Sequence, residues 1–141
     1  MAKWPYAGAG ILFIGDPTGD ASPHCLLGCR SRSGIWSIPG GEAHRGEQPW
    51  DTAFRETNEE FGELPNGMEL ICSLRFPLLI FDWTTFVVRL PEGSGLPDRT
   101  ARDFSNEFRD AAWFPITALP LKTHPLIHPV IIRLRTRGPR V

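Results

Sequence analysis

The sequence contains little that would tie it to a membrane, an oxidising compartment or a polyanion. No stretch approaches the roughly 20 consecutive apolar residues of a membrane-spanning helix, so no membrane association is expected. The apolar run from Ala7 to Ile14 is broken by Gly8 and Gly10 and lacks a following small-residue cleavage site, a poor fit to a signal peptide. There are only three cysteines, Cys25, Cys29 and Cys72, without the paired spacing of a zinc site. A disulfide framework is therefore not expected, and a reducing, cytoplasmic setting is. Cys25 and Cys29 fall in a strand-like stretch and read as small packing residues. Charge of one sign is also missing: 15 Lys and Arg against 16 Asp and Glu leave a net charge of -1. That disfavours a phosphate-backbone binder, so nucleic acid is not an expected partner. The one local imbalance, Arg133, Arg135, Arg137 and Arg140, reads as a solvated tail.

What is present is an ordinary globular composition, 41% hydrophobic and 22% charged, over a length that suits a single domain spanning residues 1–141. Ala9 to Ile14 and His24 to Ser31 read as strands separated by the turn-rich Asp16-Pro17-Thr18-Gly19-Asp20. Gly34 to Ile38 is a short strand candidate that runs into a sharp break at Pro39-Gly40-Gly41. From Gln48 to Phe61 the period turns helical, with Trp50, Ala53, Phe54, Thr57 and Phe61 forming an apolar stripe. Pro49 suits the first turn and Gly62 a helix stop. Glu69 to Phe76 and Leu79 to Leu90 read as a strand pair, 91–102 as a polar loop, Ala111 to Phe114 as a strand and Pro125 to Leu134 as a terminal helix. The class is α/β, a mixed β-sheet covered by helices.

The informative residues begin just before the first helix. Glu56, Glu59 and Glu60 are spaced i, i+3, i+4, so a helix projects all three from one face. Each like-charged pair at that spacing destabilises a helix by roughly 0.2–0.5 kcal/mol, and the row also sits where the helix macrodipole disfavours anions. The neighbouring base, Arg55, is expected to answer only one of them. Taken alone, a Glu-x-x-Glu-Glu reads as a solvated acidic face. Read as a ligand row, it calls for a hard cation such as Mg²⁺ or Mn²⁺, which prefers carboxylate, carbonyl and water oxygens. The backbone carbonyl of Gly41, one short loop away, could join it.

The wider spacing decides between these readings. Gly41 is followed six residues on by Glu47, eight further by Arg55, and then by Glu56, Glu59, Glu60 and Gly62. This stretch resembles the Nudix box, and Trp36-Ser37-Ile38-Pro39-Gly40-Gly41 is similar to the usual lead-in. Thr57 and Glu63 depart from the apolar positions of the pattern, with Leu64 adjacent, which touches packing and not the polar residues. The resemblance implies a Nudix fold, a mixed sheet sandwiched between helices (α/β/α). It also implies a metal-dependent hydrolase that cleaves a pyrophosphate bond in a nucleoside diphosphate linked to another moiety. By the same resemblance Glu56, Glu59 and Glu60 hold the divalent ions with the Gly41 carbonyl, while Glu47 and Arg55 form an orienting pair. The general base is left open between Glu56, Glu59 and Glu107, a glutamate ahead of a late strand, with Asp103 behind them.

The substrate is less legible. Trp4, Tyr6, Phe81, Trp83 and Trp113 are candidate base platforms or plain packing residues, and Arg30 and Arg32 could meet a phosphate or face water. His24, His44, His124 and His128 show no mutual spacing of a site, and Pro77, fourteen residues past Glu63, misses the spacing expected of ADP-ribose hydrolases. The expected partner is a small nucleotide: a nucleoside triphosphate, a dinucleoside polyphosphate or an ADP-ribose-like compound. The expected assembly is a monomer or homodimer. A non-catalytic nucleotide-binding Nudix module is the alternative, and a prenyl-diphosphate isomerase a remote third, with Cys72 its weak candidate.

Overall fold

The computed structural model describes residues 6–137. Its elements run β1 (Tyr6–Gly15), β2 (His24–Arg30), β3 (Trp36–Ser37), β4 (Gly40–Glu42), α1 (Pro49–Phe61), β5 (Glu69–Pro77), β6 (Phe81–Arg89), α2 (Phe104–Glu107), β7 (Phe108–Pro115) and α3 (Ile127–Arg137). The sheet orders as β3-β2-β1-β6-β5, with β4 also pairing β1 and β7 pairing β2. Among the strands of the described residues only β1 and β6 run parallel, from Tyr6 opposite Phe81 to Ile14 opposite Arg89, and Trp36 makes an isolated parallel bridge with Thr123. The mixed sheet expected from the sequence is thus present.

Strand periodicity explains why helices cover both faces. Ile11 and Phe13 of β1 point to one side, where they pack with Ala53 and Phe61 of α1 and with Phe104 and Phe108. Leu12 and Ile14 point to the other and meet Val130, Ile131 and Leu134 of α3. A side chain of this size contributes about 1.5–3 kcal/mol when fully buried, so β1 anchors both layers. Cys25 and Cys29 are buried packing residues, as expected.

Several boundaries differ from the sequence reading, each for a local reason. The break at Pro39-Gly40-Gly41 also contains a strand: β4 pairs Gly10 with Gly40, Ala9 with Gly41 and Gly8 with Glu42, too few residues to register as a period. The last strand starts three residues earlier than expected, because one turn of helix, α2, delivers Phe104 and Phe108 to the core ahead of it. The terminal helix begins two residues later, at Ile127, because Pro125 follows a histidine whose backbone is tied to Trp36. In α1 the expected stripe holds at Ala53, Thr57 and Phe61, whereas Phe54 is 40% exposed. Trp4 and Arg140 lie outside the described residues.

Candidate active site

α1 carries the acidic row because its ends are well set. Pro49 occupies the first turn, and Gly62, at φ 95°, closes the helix with its N–H donating to the Asn58 carbonyl at 3.1 Å. Thr57 and Phe61 face the core, which fixes the helix rotation and leaves Glu56 and Glu60 directed at β4.

Glu60 is only 4% exposed. Its Oε1 accepts the Gly40 N–H at 2.9 Å, and it makes no ion pair among the described residues. Burial raises its pKa to about 8 despite that hydrogen bond and the nearby Arg30 charge, with Glu107 and Glu56 adding to the rise. Glu56 is also raised, first by burial, while the Arg55 hydrogen bond at 3.0 Å pulls it down and Glu59 and Glu107 push it up. A Cβ on Gly41 would stand 2.6 Å from the Glu56 carboxyl group, so only glycine permits this approach.

Glu47 is the opposite case. It accepts from Arg55 Nε at 2.8 Å, Arg55 Nη2 at 3.0 Å, the Thr52 hydroxyl at 2.9 Å and the His44 N–H at 2.8 Å. The Arg55 bond leads in lowering its pKa to about 2. Arg55 does more than the sequence reading allowed it. Besides Glu47 it reaches Glu56 at 3.0 Å, Glu59 at 3.7 Å and the Glu42 carbonyl at 3.2 Å, because its fork lies across the helix entry. A second cation, Arg102, pairs with Glu59 at 3.0 Å. Nothing in the local sequence announced it, since loop 98–103 folds over the end of α1 through Asp103 N–H to the Glu59 carbonyl, 2.8 Å.

With Arg55 and Arg102 drawing Glu59 aside, the glutamates do not converge: among the described residues no three His, Cys, Asp or Glu side chains gather closely enough to hold a metal ion as they stand. The donor set nevertheless fits a hard dication. Glu60 is buried and Glu56 half-buried, both at a cost to their charged forms, Gly41 leaves room for the Glu56 carboxyl group, and the donors are all oxygens.

Glu107 does come to this site. It sits close enough to raise both Glu56 and Glu60, and its Oε2 accepts from Arg30 Nη1 at 3.1 Å. A register irregularity between Cys29 and Arg30 turns Arg30 toward it. Arg30 also donates to the Ile38 carbonyl at 3.0 Å and lies 4.5 Å from the Phe108 ring centre. Asp103 is engaged with Arg102 at 3.5 Å.

On the α3 side of β4 lies a cavity of about 580 Å³, bordered by Arg30, Ile38, Gly41, Phe81, Trp83 and His124. Phe81 and Trp83 lie over glycines of β1. A Cβ on Gly8 would be 3.0 Å from the Phe81 ring, and one on Gly10 would be 2.9 Å from Trp83. Trp83 Nε1 donates to Thr85 Oγ1 at 2.8 Å, which locks the indole. Of the other aromatic candidates, Tyr6 stacks beside Phe81 and Trp113 packs with the core. His124, which shows no site spacing with the other histidines in the sequence, is part of the cavity wall.

An α/β/α sandwich with a glycine-approached, arginine-braced glutamate helix at a strand edge defines a Nudix-type architecture. The chain belongs to that family: the model for the NUDIX domain matches residues 5–134. A Mycobacterium tuberculosis protein provisionally named 8-oxo-dGTP diphosphatase 3 is 31% identical over 143 aligned positions, covering 96% of this chain and 65% of its own. The human 8-oxo-dGDP phosphatase NUDT18 is 33% identical, over 77% of this chain and 33% of its own. The chain therefore spans less than two thirds of these curated relatives. Among solved structures, a C. elegans Ap4A hydrolase superposes with a TM-score of 0.73 at 18% identity, covering 92% of this chain and 96% of that one, a likeness of fold.

Proposed function

We propose that the chain is a metal-dependent pyrophosphohydrolase, in which water attacks a phosphorus of a nucleotide phosphoanhydride and the anhydride P–O bond breaks. The observation that carries this reading is Glu60, a buried carboxylate with one N–H donor and no ion-pair partner among the described residues. Gly41, Glu56, Glu59 and Glu60 would hold Mg²⁺ or Mn²⁺. Bound there, the metal would neutralise the diphosphate and bring the pKa of an attacking water toward neutrality.

The rest of the work falls to the chain. Glu47 and Arg55 keep α1 aligned with β4 through a bidentate contact. Arg30, between the cavity and the carboxylates, suits a phosphate oxygen. Glu56, Glu59 and Glu107 are the candidate acceptors for the proton lost by water, and the leaving phosphate departs as the second product. The cavity of about 580 Å³ has the volume of a small-molecule site, with Phe81 and Trp83 offering ring faces to a base. Relatives named for 8-oxo-dGTP, 8-oxo-dGDP and Ap4A favour nucleotides over other diphosphates. Three free cysteines suit a reducing setting such as the cytoplasm.

The test is a panel of nucleoside triphosphates, dinucleoside polyphosphates and ADP-ribose with Mg²⁺ and Mn²⁺, reading released phosphate and nucleoside monophosphate. Turnover by the natural protein and its loss in Glu59→Gln and Glu60→Gln is the expected result. Normal rates in both variants would refute the assignment, and tight nucleotide binding without product would establish a non-catalytic binding module.

A further inference from the structure

His124 is held through both its backbone and its ring. Its backbone N–H donates to the Trp36 carbonyl at 2.9 Å, and its carbonyl accepts the Ile127 N–H at 3.0 Å. Its ring is fixed as well, because the Leu126 N–H donates to His124 Nδ1 at 3.2 Å. A backbone N–H is always the donor, so Nδ1 carries no proton and the neutral ring must carry it on Nε2. Nε2 has no protein hydrogen-bond partner among the described residues, and His124 borders the cavity. Burial and the Arg30 charge both disfavour the protonated ring, which keeps it in this single tautomer.

Three of the other polar side chains of the cavity share that bias, and Ser37 can donate or accept. Thr85 Oγ1 already accepts the Trp83 indole N–H, which leaves its proton to give. Ser33 Oγ accepts the Ile35 N–H at 3.2 Å in the same way. Arg30 has donors alone. The cavity therefore presents N–H and O–H groups beside a fixed aromatic shelf and has few side-chain acceptors left. A planar ligand that turns a carbonyl oxygen to this wall satisfies it, whereas one that turns an exocyclic amine to it leaves donor facing donor.

We infer that His124 is the base-reading residue of this cavity, its Nε2–H donating to the 6-keto oxygen of a guanine-type base, the position at which adenine carries an amine. This rests on reading the cavity as the nucleoside site of the proposed hydrolase. It goes further by selecting one class of base and one atom that reads it.

GMP and AMP separate the two ideas, since neither contains an anhydride and binding can be measured without turnover. Calorimetric titration of the natural protein is expected to show GMP bound about tenfold more tightly than AMP. His124→Phe, which keeps a ring and loses the donor, is expected to remove that preference by weakening GMP alone. His124→Gln, which restores an N–H at similar reach, is expected to recover most of it. In the natural protein the His124 Nε2–H resonance shifts on addition of GMP and not of AMP, a measurement that stands even if a variant fails to fold. Equal affinity for both nucleotides, no binding of either, or an unchanged preference in His124→Phe overturns the inference. A protein that prefers GMP through His124 and yet hydrolyses nothing upholds it while removing the hydrolase reading.

Discussion

Glu47 and Glu60 lie thirteen positions apart in one loop–helix segment, and the structure treats them in opposite ways. Glu47 receives four hydrogen bonds, two of them from Arg55, and its pKa falls to about 2. Glu60 is buried with one N–H, and its pKa climbs to about 8. A carboxylate answered by the protein's own cation is a brace. One left without an ion-pair partner among the described residues is a candidate site, because a cation from outside would stabilise its charge further.

The sharpest way to break this contrast is to neutralise each member. Glu60→Gln is expected to lower kcat with Mg²⁺ by at least about 100-fold, while the metal-free unfolding temperature above pH 8 holds or rises because the buried group can no longer ionise. If activity survives, the unanswered carboxylate is not a functional one. Glu47→Gln should show the reverse pattern, a lower unfolding temperature with a smaller fall in kcat.

Gly41→Ala comes next. The added methyl would press on the Glu56 carboxyl at 2.6 Å, and about tenfold more Mg²⁺ should be needed for half-maximal rate. An unchanged metal requirement would mean that the close approach serves packing alone. Arg55→Ala unties Glu47, Glu56 and Glu59 together and should lower the unfolding temperature by about 3–8 °C. Arg55→Lys should rescue little, since an ammonium cannot make the two-pronged contact.

The pH dependence of the metal-free protein carries both signs. Glu60, raised from 4.5 to about 8, favours the folded state most below pH 4.5, and that contribution drains away as pH rises toward 8. Glu47, lowered from 4.5 to about 2, stabilises above pH 4.5 and loses its contribution as acid approaches pH 2. Melting curves should therefore fall off on both sides. Mg²⁺ is expected to restore the alkaline limb in the natural protein, and Glu60→Gln, which has no carboxyl group to ionise, is expected to lack that limb with or without metal. The smallest expected effect is from Glu107→Gln, about tenfold in kcat with a displaced limb of the pH–rate profile. A flat response would leave Glu107 as the partner of Arg30 only.

Much of the segment was legible because its signals are local. The helix from Pro49 to Phe61 follows from a 3.6-residue period with a proline at one end and a glycine at the other, and the Glu47–Arg55 pair, implied by the resemblance to the Nudix box, is a contact across the helix entry. The short pieces were harder. β4 has three residues and α2 four, too little chain for any period to show. Arg102 and His124 were invisible as site residues because their partners, Glu59 and the cavity wall, are distant in sequence.

The amino-acid order by itself determined the α/β class and the glutamate spacing, since each depends on neighbours within a few turns of chain, while the brace that steadies the row was implied by the resemblance to the Nudix box. Which glutamate loses its water and which keeps it was decided only by the tertiary structure. Desolvation depends on what packs above a side chain, and for Glu60 that is β4, brought there by its pairing with β1.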